Sequence, residues 1–164
     1  MPDHGAGEPP ELAEFNEQDS KNAKGTLIAF DFGLKRIGVA VGETLLANAR
    51  GLAVVTHSAS EPDWPAIEKI LHEWQPALLL VGYPCNMDGS PSEMSRLALQ
   101  FAGELRKRSG IRVQAIDERL SSSEALDQLR EERRDGLRKR RISRGLIDRE
   151  AARLILQQWL SEAS

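Results

Sequence analysis

Acidic residues stand at the ends of predicted secondary-structure elements, where their side chains can converge. Asp31 interrupts the apolar run LIAFDFG, the pair Asp117-Glu118 follows a strand-like segment, and Asp148 precedes a helical pattern. A buried lone carboxylate is costly to ionise and needs a partner, ideally a metal ion. Carboxylates brought close together repel one another unless a cation accompanies them. Together these acids predict a divalent metal site.

The residue types indicate which ion and which chemistry such a site would use. All-oxygen ligands suit Mg²⁺ or Mn²⁺, and Mg²⁺ typically takes one or two protein carboxylates plus water and substrate phosphate. A pair of such ions supports in-line displacement at a phosphodiester. No nucleophile competes: the three histidines fall in a predicted tail, a loop and a surface helix, and Cys85 lies beside Pro84 without an evident base. The sequence therefore predicts a metal-dependent phosphodiester hydrolase.

Each acid also has a structural interpretation, which the sequence leaves open. Asp31 can cap the turn at Gly33, and Asp148 can be an ordinary helix N-cap. Small alanines that follow Asp148 at helical spacing would let this last helix approach the sheet closely. Asp117 continues the apolar face of the preceding strand, whereas Glu118 reaches the site if the strand has already ended. Which of the two acids is the ligand stays undecided at this point.

Charge is unevenly distributed along a chain whose formal net charge is −3. Residues 1–24 hold six acidic side chains against two lysines, a net charge of −4, whereas residues 133–144 hold seven basic side chains against one acid. A basic cluster on a near-neutral body is a plausible phosphate-binding surface. A solvated linker between helices explains the cluster equally well. Its central residues are Arg138, Lys139, Arg140 and Arg141.

Length and composition limit the class of protein. The 164 residues fit one domain, which we expect to span residues 25–164 after a disordered acidic tail of residues 1–24. A single cysteine excludes an intrachain disulfide. No apolar run is long enough to cross a bilayer, and no signal sequence is visible. We therefore expect a cytoplasmic protein with no membrane partner.

Periodicity and turn residues predict an α/β fold. The expected strands are Leu27 to Phe32, Ile37 to Val41, Leu52 to Thr56, Ala77 to Tyr83 and Ile111 to Asp117. The expected helices begin near Trp64, Pro91, Ser121 and Asp148, and the first two end at Pro76 and Gly110. The order predicts a mixed five-stranded sheet whose first three strands are antiparallel, with helices on both faces.

Five segments, taken in this order along the chain, resemble the YqgF/RuvX family of pre-16S rRNA nucleases and Holliday-junction resolvases. They are DFGLKRIGVA from Asp31, VGYP from Val81 with Gly89 after it, Phe101-Ala102, DERLSS from Asp117, and DREAARLILQ from Asp148. The resemblance implies an RNase H-like fold and catalytic, metal-binding acids at Asp31, Asp117 or Glu118, and Asp148. It also implies Mg²⁺ or Mn²⁺ as cofactor and a role in maturing the 5′ end of 16S rRNA, with the small ribosomal subunit as a partner.

Beside this resemblance, several residues suit substrate contacts. Lys35 and Arg36 at a predicted hairpin tip can bind a phosphate, Arg119 can pair with an acid or meet the scissile phosphate, and the basic cluster can follow the backbone. Gly33 and Gly38 would permit the tight hairpin. The chain departs from many RNase H-like nucleases in having Tyr83 and Pro84 where an acid is common.

Three other functions are considered from the sequence. An actin-like ATPase shares this sheet topology but needs a second lobe for which the chain has no room. A non-catalytic nucleic-acid-binding or ribosome-binding module would not need the acids. A Holliday-junction resolvase would place two sites on DNA as a dimer, whereas RNA processing works with a monomer. We favour RNA, and a monomer or weak dimer.

Overall fold

A computed structural model describes residues 24–58, 61–83, 92–117 and 142–163. In these ranges the strands are β1 (Thr26–Phe32), β2 (Arg36–Glu43), β3 (Asn48–Ser58), β4 (Glu61–Pro62), β5 (Leu78–Tyr83) and β6 (Val113–Asp117). The helices are α1 (Trp64–Trp74), α2 (Glu93–Ser109) and α3 (Ile142–Ala163). Residues 1–23 of the expected tail, residues 133–141 of the basic cluster and the helix expected near Ser121 lie outside the described residues, and the last three residues of the cluster belong to α3. No helix in the described ranges is long and apolar enough to cross a membrane.

The strands form one mixed sheet in the order β4-β3-β2-β1-β5-β6. β1, β2 and β3 are antiparallel neighbours, whereas β5 is parallel to both β1 and β6. This confirms the RNase H-like fold class, including the antiparallel first three strands and the helices on both faces. The sheet has one strand more than predicted, because the two-residue β4 is too short to show any periodicity in the sequence.

β3 is longer than its predicted core, and Gly51 lies inside it rather than before it. The register between β2 and β3 shifts between Val39 and Ala40, so the extra residue on β3 is accommodated as an irregularity. A Cβ atom at Gly51 would lie 2.9 Å from the Cβ of Arg149. The glycine is therefore explained by the close approach of α3, not by a break in the strand.

Helices α1 and α2 cover one face of the sheet, and the mainly aliphatic core between them and the sheet includes a cluster of aromatic rings. The Phe101 ring lies 5.6 Å from that of Phe30 in an edge-on contact and 5.4 Å from that of Trp64 in a stacked one, centroid to centroid. The side chain of Asp63 caps α1 by accepting a hydrogen bond from the Ala66 amide at 3.2 Å. The two helix ends predicted near residues 76 and 110 are confirmed.

Among the described helices, α3 covers the opposite face, and it lies mainly across β1, β2 and β3. The buried apolar residues on this side are Leu27, Ala29, Ala40, Leu78, Leu80, Ala152, Leu156, Trp159 and Leu160. The helix begins at Ile142, so the prediction that it starts at Asp148 was wrong. The basic and glycine-containing sequence before Asp148 suggested a linker, but its last residues extend the helix by more than one turn.

Candidate active site

Asp31 is a buried carboxylate on a central strand of the sheet. β1 is completely buried from Leu27 to Phe30, and Asp31 itself is 7% exposed. Side chains alternate along a strand, so Asp31 shares the face of Leu27 and Ala29, which is the face that α3 covers. On β2 its direct partner is Gly38, and on β5 it is Gly82.

Helix α3 brings Asp148 onto the strand position directly beside Asp31. A Cβ atom built on Gly38 would lie only 1.9 Å from the backbone oxygen of Asp148, a distance at which no side chain fits. Ala151 and Ala152, on the same side of the helix, are 1% and 0% exposed. The expectation that small residues let this helix approach the sheet closely is thus confirmed. Asp148 is 4% exposed and inside the helix, so it is not an N-cap.

Gly38 has a different role from the one expected. The sequence suggests a place in the tight hairpin between β1 and β2, but Gly38 lies within β2 and its missing side chain makes room for the backbone of Asp148. Gly33 does suit the hairpin, since a Cβ there would lie 2.6 Å from the backbone oxygen of Arg36. A signal for Gly38 was available: it is a glycine inside an otherwise apolar strand, which often marks the close approach of another backbone.

Arg36 forms a direct ion pair with Asp148 across a long stretch of the chain. The Nε of Arg36 donates to Oδ2 of Asp148 at 2.7 Å, and the two side chains are 26% and 6% exposed. The sequence predicts Arg36 at the hairpin tip as a phosphate-binding residue, but the structure directs its side chain to an acid. Its neighbour Lys35 is exposed at that tip, in the position where both were expected.

The register of β6 gives the position of Asp117, one of the two acids between which the sequence left the choice open. Val113 packs in the core on the face covered by α1 and α2, whereas Ile116 packs on the face covered by α3. Alternation therefore places Asp117, which is 8% exposed, on the side of Val113 and away from the face of Asp31. Glu118, the other acid of the pair, lies outside the described residues. Asp117 is confirmed on the face that its strand pattern predicted.

Glu150, a further acid near Asp148, forms an ion pair with Arg153 on the same helix. Arg153 donates hydrogen bonds to Glu150 through Nε, at 2.7 Å, and through Nη2. The hydrogen bond to Glu150 raises the pKa of Arg153; partial burial opposes the effect and the charge of Glu150 adds to it. This pair lies on the partly exposed side of α3. The remaining predicted substrate-binding residues, Arg119, Arg138, Lys139, Arg140 and Arg141, lie outside the described ranges.

The donor chemistry of the pair Asp31 and Asp148 fits a hard divalent cation. Both are buried carboxylates with oxygen donors only, and Mg²⁺ commonly takes one or two protein carboxylates. In the described parts of the chain, no three His, Cys, Asp or Glu side chains are grouped closely enough to hold a metal ion. These two acids would therefore form the described part of a metal site, and any third protein ligand would come from outside it.

Comparison with known proteins places the chain in a family. A family model described as "RuvX: Holliday junction resolvase" matches residues 25–162. A Dechloromonas aromatica protein named "Putative pre-16S rRNA nuclease" is 46% identical over 135 residues, which cover 82% of this chain and 90% of that protein. A protein of the same name from Azotobacter vinelandii is 44% identical over 83% of this chain and 93% of its own length.

Solved structures show a more distant likeness. Thermus thermophilus RuvC in complex with a Holliday junction substrate aligns with a TM-score of 0.48 and 20% identity over 84% of this chain and 94% of that one. Fowlpox virus resolvase in complex with junction DNA aligns with a TM-score of 0.47 and 12% identity, over 82% of this chain. The family model and the relatives in sequence are the stronger result: this chain belongs to the RuvX family, also called YqgF.

Proposed function

We propose that this protein is a metal-dependent nuclease that hydrolyses phosphodiester bonds in pre-16S rRNA. The observation that supports it most directly is the packing of Asp148 against Gly38, which brings the backbone of a second buried acid next to the strand position of Asp31. Two buried acids at one place have a high cost in free energy without a cation. The names of the relatives support the choice of nuclease and of substrate.

Asp31 and Asp148 are the proposed metal ligands, and Glu118 is the proposed third. The β6 register favours Glu118 over Asp117, because Asp117 belongs to the other face of the sheet. Mg²⁺ or Mn²⁺ bound there would supply an acidified water and charge stabilisation at the phosphate. The protein itself contributes a rigid strand for the first carboxylate and a closely packed helix for the second.

The basic residues are proposed to bind and orient the nucleic-acid backbone. Lys35 is exposed at the hairpin tip next to the strand end that carries Asp31, so it can reach a phosphate held at the site. Arg119 follows the third proposed ligand directly and is a bidentate donor for the same phosphate. The basic cluster would extend this contact along the strand of RNA. An enzyme that processes pre-16S rRNA would act in the cytoplasm, on the small ribosomal subunit.

Holliday-junction resolution is the second candidate, because the family description names it. The decisive test is one cleavage assay in Mn²⁺ that offers pre-16S rRNA, single-stranded RNA and a four-way DNA junction side by side. We expect cleavage of the precursor RNA, and Asp31→Asn should reduce it by more than about a hundredfold, since changes to residues around a metal ligand already cost about 10–100-fold. The melting temperature should stay equal or rise, because one repelling charge is removed.

A matched acid-to-amide change controls for non-specific effects. Glu104→Gln on α2 alters a partly exposed ion pair with Arg108 on the other face of the sheet, and it should leave cleavage unchanged. Cleavage of the junction alone would move the assignment to the resolvase. Turnover by Asp31→Asn at the wild-type rate would exclude this site, and cleavage of none of the substrates would favour a non-catalytic binding module.

Neutralising the basic cluster tests its contact with RNA. Replacing Arg138, Lys139, Arg140 and Arg141 by Gln should weaken binding and flatten the plot of log K against log salt, by about 0.7 for each phosphate that the protein no longer neutralises. The measurement is RNA affinity by fluorescence anisotropy at several salt concentrations. The exposed side chains of Lys69 and Lys107, replaced in the same way, serve as the control and should leave the slope unchanged. An unchanged slope in the first variant would identify the cluster as a linker.

A further inference from the structure

Arg36 is placed so that it can act on both acids of the candidate site. It lies two residues before Gly38 on β2, and alternation puts the two on the same face of the sheet. Since Gly38 is the direct partner of Asp31, Arg36 is the diagonal neighbour of Asp31, within reach of a long side chain. Its guanidinium bonds to Asp148 at 2.7 Å. The guanidinium therefore binds one buried carboxylate and lies within reach of a second.

We propose that Arg36 is a positioning residue of this site, which fixes the carboxylate of Asp148 beside Asp31 and compensates the acid pair in the metal-free protein. The inference rests on the metal site proposed above and adds a role for a residue that the sequence assigned to substrate binding. The hydrogen bond runs from Nε to Oδ2. This contact holds the carboxylate of Asp148 through one of its two oxygens.

The two charges give this role a measurable signature. A guanidinium beside the acids lowers the cost of holding them together, so its loss should destabilise the metal-free protein. The same positive charge repels an incoming divalent cation at short range, so its loss should also tighten metal binding. A merely structural ion pair predicts the first effect but not the second. It also predicts that the destabilisation does not depend on Asp31.

The test is a thermodynamic cycle on the full chain with the variants R36M, D31N and R36M/D31N. Melting temperatures are measured after chelation, and Mn²⁺ affinity is measured by calorimetry. We expect R36M to lower the metal-free melting temperature by roughly 4–8 °C. In the D31N background the same change should cost no more than about half as much, because one of the two acids is already neutral. Mn²⁺ should bind R36M about tenfold more tightly than wild type.

A partly exposed ion pair on the same helix provides the control. R153M breaks the contact with Glu150 and should change the melting temperature by no more than about 2 °C, equally in both backgrounds. If R36M does not fold, R36Q replaces it: glutamine also removes the positive charge, so the same two shifts in melting temperature and Mn²⁺ affinity are expected. An Arg36 effect of equal size with and without Asp31, or Mn²⁺ binding that is not tightened, would overturn the proposal.

The cycle separates this inference from the proposed function. The metal-free half depends only on Arg36, Asp31 and Asp148, and it can succeed even if the protein cuts no nucleic acid. Absence of Mn²⁺ binding by the wild type, with the coupling between Arg36 and Asp31 intact, would reject the proposed metal site but retain the charge-compensating role. Mn²⁺ binding without that coupling would retain the site and reject the role of Arg36.

Discussion

The contact between α3 and the sheet has two ends of opposite character. At one end a Cβ atom on Gly38 would lie 1.9 Å from the backbone oxygen of Asp148. At the other end a Cβ atom on Gly42 would lie 3.1 Å from side-chain carbons of both Leu156 and Leu160. Both glycines are on β2, and Asp148 and Leu160 are about 18 Å apart along the helix. Helix α3 thus lies close to β2 at both ends of the contact, next to a charged side chain at one end and next to apolar side chains at the other.

The difference shows how the protein can hold buried acids. Each apolar side chain buried at the far end of α3 contributes about 1.5–3 kcal/mol, and Leu156, Trp159 and Leu160 are all nearly inaccessible to solvent. Asp148 and Asp31 are unfavourable to bury as ions. The far end therefore anchors the helix, while the near end holds the groups that would do chemistry. Gln157 strengthens this anchor by accepting a hydrogen bond from the Ala49 amide and donating one to the Ala47 oxygen.

Adding one methyl group at each glycine is the sharpest way to separate the two ends. Gly38→Ala must push the backbone of Asp148 away from Asp31, so cleavage should fall by about a hundredfold and the melting temperature should fall as well. In Gly42→Ala the added methyl group would lie 2.7 Å from the backbone oxygen of Asn48 and close to the two leucine side chains. It should lower the melting temperature while leaving cleavage per folded molecule within about threefold of wild type.

Both variants are compared at a temperature where circular dichroism shows each to be folded. Equal loss of cleavage in the two would mean that the helix moves as a rigid body and that the near end has no separate role. Normal cleavage in Gly38→Ala would show that the position of Asp148 is not required.

Most of the fold could be predicted from the sequence, because the signals for it are local. The alternation and turn residues around β1 and β2, the cap at Asp63 and the stop at Gly110 all act within a few residues, and the elements that they predict are present. Where the signals were weaker, the prediction failed. An acid that follows basic residues looks like an N-cap, so the start of α3 was placed at Asp148 instead of Ile142.

The arrangement of the site depended on contacts that no local pattern specifies. The pair of Arg36 and Asp148 joins residues 112 positions apart, and single residues gave no indication that one was the partner of the other. The face on which Asp117 lies required the register of β6 against β5, which no pattern within β6 specifies. The role of Gly38 depends on the position of a helix that lies far later in the chain.

A cavity at the apolar end should affect stability alone. Leu156 is completely buried against the sheet, so Leu156→Ala should lower the free energy of unfolding by about 2–5 kcal/mol, measured by urea denaturation. The partly buried Leu154 on the same helix is the matched control and should cost less when replaced by alanine. Cleavage per folded molecule and Mn²⁺ affinity should remain within about threefold of wild type, because distant sites act independently. A loss of cleavage beyond the unfolded fraction would show instead that the anchor and the acids are coupled along α3.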